Sequence, residues 1–124
     1  MNTEGLTKFG PPAESHIQMV MQEYNLTRQE LTGERKLHKL MHPRRELYMR
    51  LLCTPAKWVY GVPQYRSLPQ VGRIVGGRDH TTALYGIRAY AVEFLGLPWK
   101  SSVAEIRIAY IAKSQQAEAM ERAA

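Results

Sequence analysis

Residues 67–82 decide the fold predicted for this chain of 124 residues, and they read Ser67-Leu68-Pro69-Gln70-Val71-Gly72-Arg73-Ile74-Val75-Gly76-Gly77-Arg78-Asp79-His80-Thr81-Thr82. The stretch predicts a short helix, a double-glycine turn and the start of a second helix, which is the order of a helix-turn-helix. Side chains that can read base edges or bind phosphate surround the start of the second helix: Arg78, Asp79, His80, Thr81 and Thr82. Arginine bridges guanine acceptors, aspartate accepts from cytosine, and a threonine methyl contacts a thymine methyl. Because the second helix of this motif lies in the major groove, the stretch indicates DNA recognition.

Some residues at this turn have more than one interpretation. Asp79 is suited equally to a base contact and to capping the second helix, and one carboxylate can do both. Gly76 and Gly77 are expected to serve the backbone, because a tight turn needs residues that tolerate a positive φ. His80 could act as a general base or metal ligand, but no His, Cys or acidic residue stands at ligand spacing from it. Neither an enzyme nor a cofactor is therefore expected.

The stretch resembles the signature of the C-terminal DNA-binding domain of bacterial DnaA replication initiators. That family typically reads Ser-Leu-Pro-Glu-Ile-Gly and then Phe-Gly-Gly-Arg-Asp-His-Thr-Thr-Val-Leu, and Gly76 to Thr82 match without a gap. The upstream order is also similar: Ile17-Gln18, Tyr24, Leu31, a basic loop and the run Pro43-Arg44-Arg45-Glu46-Leu47. The resemblance covers roughly residues 14–94. It implies an all-α helix-turn-helix domain that binds double-stranded DNA.

The chain also departs from the family pattern. The family's basic loop places an arginine in the minor groove, and the corresponding residue here is Arg35 or Lys36. Gln70 stands where the family has glutamate, and we retain it as a predicted contact. The segment from Cys53 to Arg66 is several residues longer than the family norm. No phosphate-cradling Gly-x-x-x-x-Gly-Lys-Ser/Thr occurs, so the ATPase module of the initiators is not expected.

The chain divides into three predicted regions: a flexible arm at 1–12, a DnaA-like domain at 13–97 and a C-terminal helix at 98–124. Within the domain, helical spacing predicts a helix near 13–24, and a capping box at Thr27 predicts a short helix ending near Gly33. Residues 33–42 are predicted to form a basic loop. A helix is expected from Pro43 to about Cys53, followed by a loop over 54–66 with its aromatic residues packed on the core.

Two apolar stripes are predicted in the C-terminal half. The second helix of the motif is expected to bury Leu84, Ile87, Ala91 and Phe94. A last helix over about 101–122, capped by Ser101 or Ser102, carries Val103, Ile106, Tyr110 and Ile111. This helix either packs back on the domain or pairs with a second copy. A homodimer is slightly favoured, because paired recognition helices raise affinity through effective concentration.

The positive charge of the chain is concentrated in one segment. The net charge is +6, and eight basic residues against three glutamates between Arg28 and Lys57 carry most of it. Arg44 and Arg45 stand at a predicted helix N-terminus, where the macrodipole disfavours cations unless an anion such as phosphate is near. The predicted DNA contacts are therefore Arg35, Lys36, Lys39, Arg44, Arg45, Gln70, Arg78, Asp79, His80, Thr81 and Thr82.

These features predict a sequence-specific binder of double-stranded DNA that regulates replication initiation or transcription at initiator-box-like sites. The resemblance implies competition with the initiator for its AT-rich nonamer boxes. The alternative is an adaptor that binds a replication-initiation protein with weak DNA contact, and RNA binding through the basic loop is a third hypothesis. The chain has a single cysteine, and it has neither an apolar signal core nor an apolar run of membrane length. These features predict a cytoplasmic protein, and the predicted DNA binding implies association with the nucleoid.

Overall fold

The computed structural model describes residues 12–123, and in this range six α-helices surround the core and one β-hairpin projects from it. The elements, in chain order, are α1 (Ala13–Tyr24), α2 (Arg28–Thr32), α3 (Met41–Cys53), β1 (Pro55–Val59), β2 (Val62–Tyr65), α4 (Leu68–Ile74), α5 (His80–Leu95) and α6 (Val103–Ala123). The predicted N-terminal arm lies outside the described residues except for Pro12. The expectation of a mainly helical domain with an added C-terminal helix is confirmed.

Helix ends follow the capping signals of the sequence. Thr27 accepts from the backbone N–H of Glu30, and the Glu30 carboxylate accepts from the N–H of Thr27, so the predicted capping box starts α2. Ser67 and Gln70 form the same reciprocal pair at the start of α4. Each box satisfies backbone donors that a helix N-terminus leaves without partners.

The basic loop, residues 33–42, is shorter than predicted. A 3-10 turn at His38–Leu40 leads directly into α3, which begins at Met41 rather than at Pro43. Pro43 is tolerated there because the first N–H groups of a helix have no intrahelical partner. Leu40 is fully buried, so its side chain fixes the end of the loop to the core.

The predicted loop over 54–66 is wrong, because most of this segment forms the antiparallel hairpin of β1 and β2. Its tip residues Tyr60 and Gly61 have φ values of 50° and 78°, as a two-residue hairpin turn requires. The expected aromatic packing is also wrong for two of three residues: Trp58 is 46% exposed and Tyr60 is fully exposed. Only Tyr65 is half-buried, with the Arg107 guanidinium 4.2 Å from its ring centroid.

The buried face of α5 differs in part from the predicted stripe. Ile87 and Ala91 are buried as expected, whereas Leu84 is half-buried and Phe94 is 36% exposed. The small residues Ala83 and Gly86 take the remaining buried positions. They let α5 approach α3 closely, since a Cβ at Gly86 would lie 2.9 Å from the Tyr48 ring.

The apolar stripe of α6 packs against the core of its own chain. Ile106 is fully buried, and Val103, Tyr110 and Ile111 are half-buried against the core. Arg107 adds a hydrogen bond from Nε to the carbonyl of Leu52 at 3.0 Å. Packing back on the domain is therefore the observed arrangement of the two that were predicted. The stripe gives no support to a homodimer.

Buried His16 in α1 makes the stability of the fold depend on pH. Its side chain is buried, and neither ring nitrogen has a hydrogen-bond partner among residues 12–123. Burial, together with the charges of Arg66 and Arg50, lowers the pKa of His16 to about 4. The folded protein therefore holds a neutral imidazole at a pH where an unfolded chain would bind a proton.

We expect the free energy of unfolding to fall by about 2 kcal/mol between pH 8 and pH 5 through His16 alone, because the unfolded imidazole gains its proton near pH 6.5. Urea unfolding at both pH values measures the loss. His16→Leu removes the titrating group and should lose much less over the same range. Equal losses in the two proteins would contradict the assignment.

Candidate nucleic-acid interface

One backbone carbonyl connects the basic loop to the helix-turn-helix. The carbonyl of Gly33 accepts from Arg44 Nη2 at 3.0 Å and from Arg78 Nη2 at 2.6 Å. Arg44 lies in α3, and Arg78 lies in the turn before α5. The start of the basic loop is thus held by two guanidinium groups from different elements.

Arg44 also holds the end of α2. Its Nε donates to the carbonyl of Leu31 and its Nη2 to the carbonyl of Glu30, both at 2.9 Å. The side chain is buried. Burial is the main cause that lowers the pKa of its guanidinium, and the nearby charge of Arg78 lowers that pKa further. Helix C-termini leave carbonyls without intrahelical donors, so this arginine supplies what the short helix lacks. The sequence interpretation of Arg44 as a phosphate ligand overlooked this structural role.

The double-glycine turn packs directly on the same place. Gly76 and Gly77 have φ values of +86° and +72°, which confirms their predicted backbone role. A Cβ on Gly76 would stand only 1.9 Å from the carbonyl oxygen of Thr32. Only glycine fits this close approach between the turn and the end of α2.

The first turn of α5 is built around Asp79. Its Oδ1 accepts from the Thr81 N–H at 2.7 Å and from the Thr81 hydroxyl at 2.6 Å, so it is the N-cap of the helix. These hydrogen bonds, and then the charge of His80, lower the pKa of Asp79. The capping alternative is confirmed, and within residues 12–123 the second carboxylate oxygen accepts no hydrogen bond. Thr81 keeps its methyl group and its lone pairs available, because its hydroxyl proton is already donated.

An open groove of about 780 Å³ separates α5 from the basic loop. Its lining comes from the loop, from the start of α3, from the glycine turn and from α5: Glu34, Lys36, Leu37, Met41, Arg44, Arg45, Tyr48, Gly76, Gly77, Arg78, Thr82, Tyr85 and Gly86. Four of these side chains are cationic and one is acidic. Arg44 and Arg78 bond to neutral carbonyls, and no carboxylate of the described residues pairs with either of them. The lining is therefore suited to an anionic chain.

Ion pairs divide the basic patch that the sequence shows as continuous. Arg28 pairs with Glu14, Lys39 with Glu30 at 3.3 Å, and Arg50 with Glu23 and Glu46. Within the described residues, Arg35, Lys36 and Arg45 have no carboxylate within ion-pair distance. The charge without a carboxylate partner in this range thus lies on the loop, on the wall of the groove and, at Lys57, on β1.

Six of the predicted site residues form two exposed groups. His80, Thr81 and Thr82 are exposed on the first turn of α5, and Arg35, Lys36 and Lys39 are exposed on the basic loop. Gln70 is exposed on α4, where its side chain is engaged in the capping box.

Sequence reasoning missed Tyr85, which lines the groove and is 59% exposed. The spacing could have revealed it, since residues three and four positions after Thr82 and Thr81 share their helix face.

Other classes of site find no support in the described part of the chain. Among residues 12–123 no group of three or more His, Cys, Asp or Glu side chains could hold a metal ion. Over the same range, none of the helices combines the length and the apolar character needed to cross a bilayer.

Comparison with known proteins identifies relatives of this chain. The family model of the bacterial DnaA protein helix-turn-helix matches residues 14–89. The chromosomal replication initiator protein DnaA of Brucella abortus biovar 1 (strain 9-941) is 35% identical over 88 residues, which are 67% of this chain and 16% of that protein. DnaA of Agrobacterium fabrum (strain C58 / ATCC 33970) is 38% identical over 71 residues, or 56% of this chain and 12% of that protein. The chain thus spans less than a fifth of these relatives. No solved structure matches.

The adjacent arginines Arg44 and Arg45 should differ in their contribution to stability. Arg44→Ala should lower the free energy of unfolding by about 3 kcal/mol, because three carbonyls lose a charged donor. Arg45→Ala should cost no more than about 1 kcal/mol, because this half-buried side chain makes no such bond. Urea unfolding followed by circular dichroism measures both. A similar cost for the two variants would contradict the structural role of Arg44.

Proposed function

Because this chain belongs to the family of bacterial DnaA helix-turn-helix domains, we propose that it binds double-stranded DNA with a preference for initiator-box-like sequences. The observation that carries the proposal is the groove between α5 and the basic loop. Its cationic lining matches one sugar-phosphate strand, and its two walls carry side chains suited to the two DNA grooves. The chain's relatives are full-length initiators, so every role beyond the DNA-binding fold is part of this proposal.

The first turn of α5 enters the major groove in this proposal. His80, Thr81 and Thr82 are its exposed residues, and Asp79 offers one free carboxylate oxygen beside them. The Thr81 methyl is suited to a thymine methyl, and an imidazole or carboxylate can hydrogen-bond to base edges. Arg78 adds positive charge at the rim of the groove while it stays bonded to Gly33.

The basic loop reaches the adjacent minor groove. Arg35 and Lys36 are exposed, and no carboxylate in the described part of the chain pairs with them. Lys36 lines the wall opposite α5, and Arg35 precedes it in the sequence. A cation inserted there favours the narrow minor groove of AT-rich DNA. In the proposal, Arg45 binds the strand between the two walls, and Lys39 and Gln70 make peripheral phosphate contacts. Arg44 contributes its charge rather than a hydrogen bond.

The biological role proposed is control of replication initiation or of transcription at the nucleoid, through competition with full-length initiators for their boxes. One observation supports the adaptor alternative: Trp58, Tyr60 and Val62 are exposed on the hairpin, which is the kind of apolar surface that protein partners bind. Salt-sensitive binding that prefers a box over scrambled duplex supports the DNA-binding role. Capture of a replication protein without that preference supports the adaptor.

Removing the base-reading side chains should reduce discrimination more than affinity. For the double variant His80→Ala and Thr81→Ala, we expect the preference for a box over scrambled duplex to fall by about 1–3 kcal/mol, because each good base contact contributes on this scale. Competition binding with the two duplexes measures the difference. Arg122→Gln, at the far end of α6, is the control. Equal loss on both duplexes would show that these residues do not read bases.

Neutralising the loop should weaken binding to every duplex. Arg35→Gln combined with Lys36→Gln should flatten the plot of log affinity against log salt by about 0.9 for each phosphate contact that is lost. Lys39→Gln should have a smaller effect, because Lys39 is paired with Glu30. An AT-rich site should suffer more than a GC-rich one if the loop reads the minor groove. An unchanged salt slope would remove the loop from the interface.

A further inference from the structure

The connector between α5 and α6, residues 96–102, returns the chain to the recognition end of α5. Gly96 closes α5 in the left-handed conformation, with φ of 66°. The rings of Tyr85 and Trp99 then meet in an edge-to-face contact, with their centroids 5.2 Å apart. Trp99 thus contacts a residue that lies ten positions before the C-terminal end of α5.

The direction of α6 confirms this path. After the connector, α6 runs beside α5 in the same direction, since Tyr90 lies opposite Tyr110 and the carbonyl of Phe94 accepts from Lys113. The connector is therefore the part of the C-terminal region nearest to the start of α5. The second half of α6 extends beyond the opposite end.

Tyr85 relates the connector to the proposed base-reading residues. It lies three positions after Thr82 and four after Thr81, so the three side chains share one face of α5. Tyr85 also lines the groove that separates α5 from the basic loop. Trp99, in contact with Tyr85, extends this surface by one more aromatic ring.

The connector carries groups that suit a DNA backbone. Trp99 is 41% exposed, and its indole N–H donates to no acceptor within the described residues. Lys100 is exposed, and no carboxylate of the described residues pairs with it. The N-terminus of α6 itself is closed by a capping box between Ser102 and Glu105, so an anion would be attracted by Lys100 rather than by the helix end.

We propose that Trp99 and Lys100 form a second contact with the DNA backbone, beside the bases that face α5. The proposal rests on the proposed function, since it places a further segment on the same duplex. Residues 96–102 follow the part of the chain that matches the family model, which ends at residue 89. The consequence is a binding site that extends past the initiator box at one end.

The test compares three duplexes: a box with six flanking base pairs at each end, and the same box trimmed at one end or at the other. Lys100→Gln should flatten the salt slope by about 0.9 on the long duplex. The ratio of wild-type to variant affinity should therefore be about threefold smaller at 200 mM salt than at 50 mM salt. Trimming one end, and only that end, should abolish the difference from the wild-type protein. Trp99→Phe keeps the ring against Tyr85 but removes the indole N–H, and should weaken binding on the same duplexes.

Arg122→Gln is the matched control, because it removes the same charge at the opposite end of α6 and should leave the slope unchanged. The proposal is overturned if Lys100→Gln and wild-type protein show the same slope on the long duplex while wild-type binding stays salt-sensitive and box-specific. Wild-type protein that shows no preference for the box would remove the proposed function as well, so the two failures can be told apart. Circular dichroism of each variant checks that the fold is retained.

Discussion

The carbonyl of Gly33 is the constraint on which the rest of the interface depends. Arg44 from α3 and Arg78 from the glycine turn both donate to it, and the turn itself packs on the neighbouring carbonyl of Thr32. Charged donors make stronger hydrogen bonds than neutral ones, and these donors are partly shielded from water. The basic loop and the helix-turn-helix are therefore joined at one place, although more than forty residues separate them in the chain.

This connection has a consequence for binding. A loop that is free in the unbound protein must lose conformational freedom when it enters a DNA groove, and that loss weakens the complex. Here the loop is already held at Gly33 on one side and by buried Leu40 on the other. Only the exposed segment with Arg35 and Lys36 is left to adjust to the minor groove that we propose for it. In the proposed complex, the distance between the two walls of the groove is thus largely set before DNA binds, which favours one strand seated between two adjacent DNA grooves.

Local sequence signals predicted local structure, but they could not predict contacts between elements that are distant in the chain. The capping box at Thr27 and the glycines at 76 and 77 act within a few residues, so their structural roles could be predicted. The second box was not predicted, since Gln70 was expected to contact DNA and instead pairs with Ser67. Arg44 and Arg45 are equivalent in the sequence, and only the packing of α2 against α3 gives Arg44 its structural role. The hairpin was missed because Pro55 and Pro63 disfavour strands and tyrosine rarely takes a positive φ. The position of Trp99 depends on the reversal of the chain between α5 and α6, and no periodicity in the sequence indicates that reversal.

The most direct test of the central claim is dimethyl sulfate protection of a duplex containing an initiator box. The reagent methylates guanine N7 in the major groove and adenine N3 in the minor groove, so one experiment reports both walls of the groove. The account predicts that wild-type protein protects guanine N7 atoms within the box and adenine N3 atoms in the adjacent minor groove. Protection of guanine N7 alone, with every adenine N3 still reactive in and around the box, would contradict it.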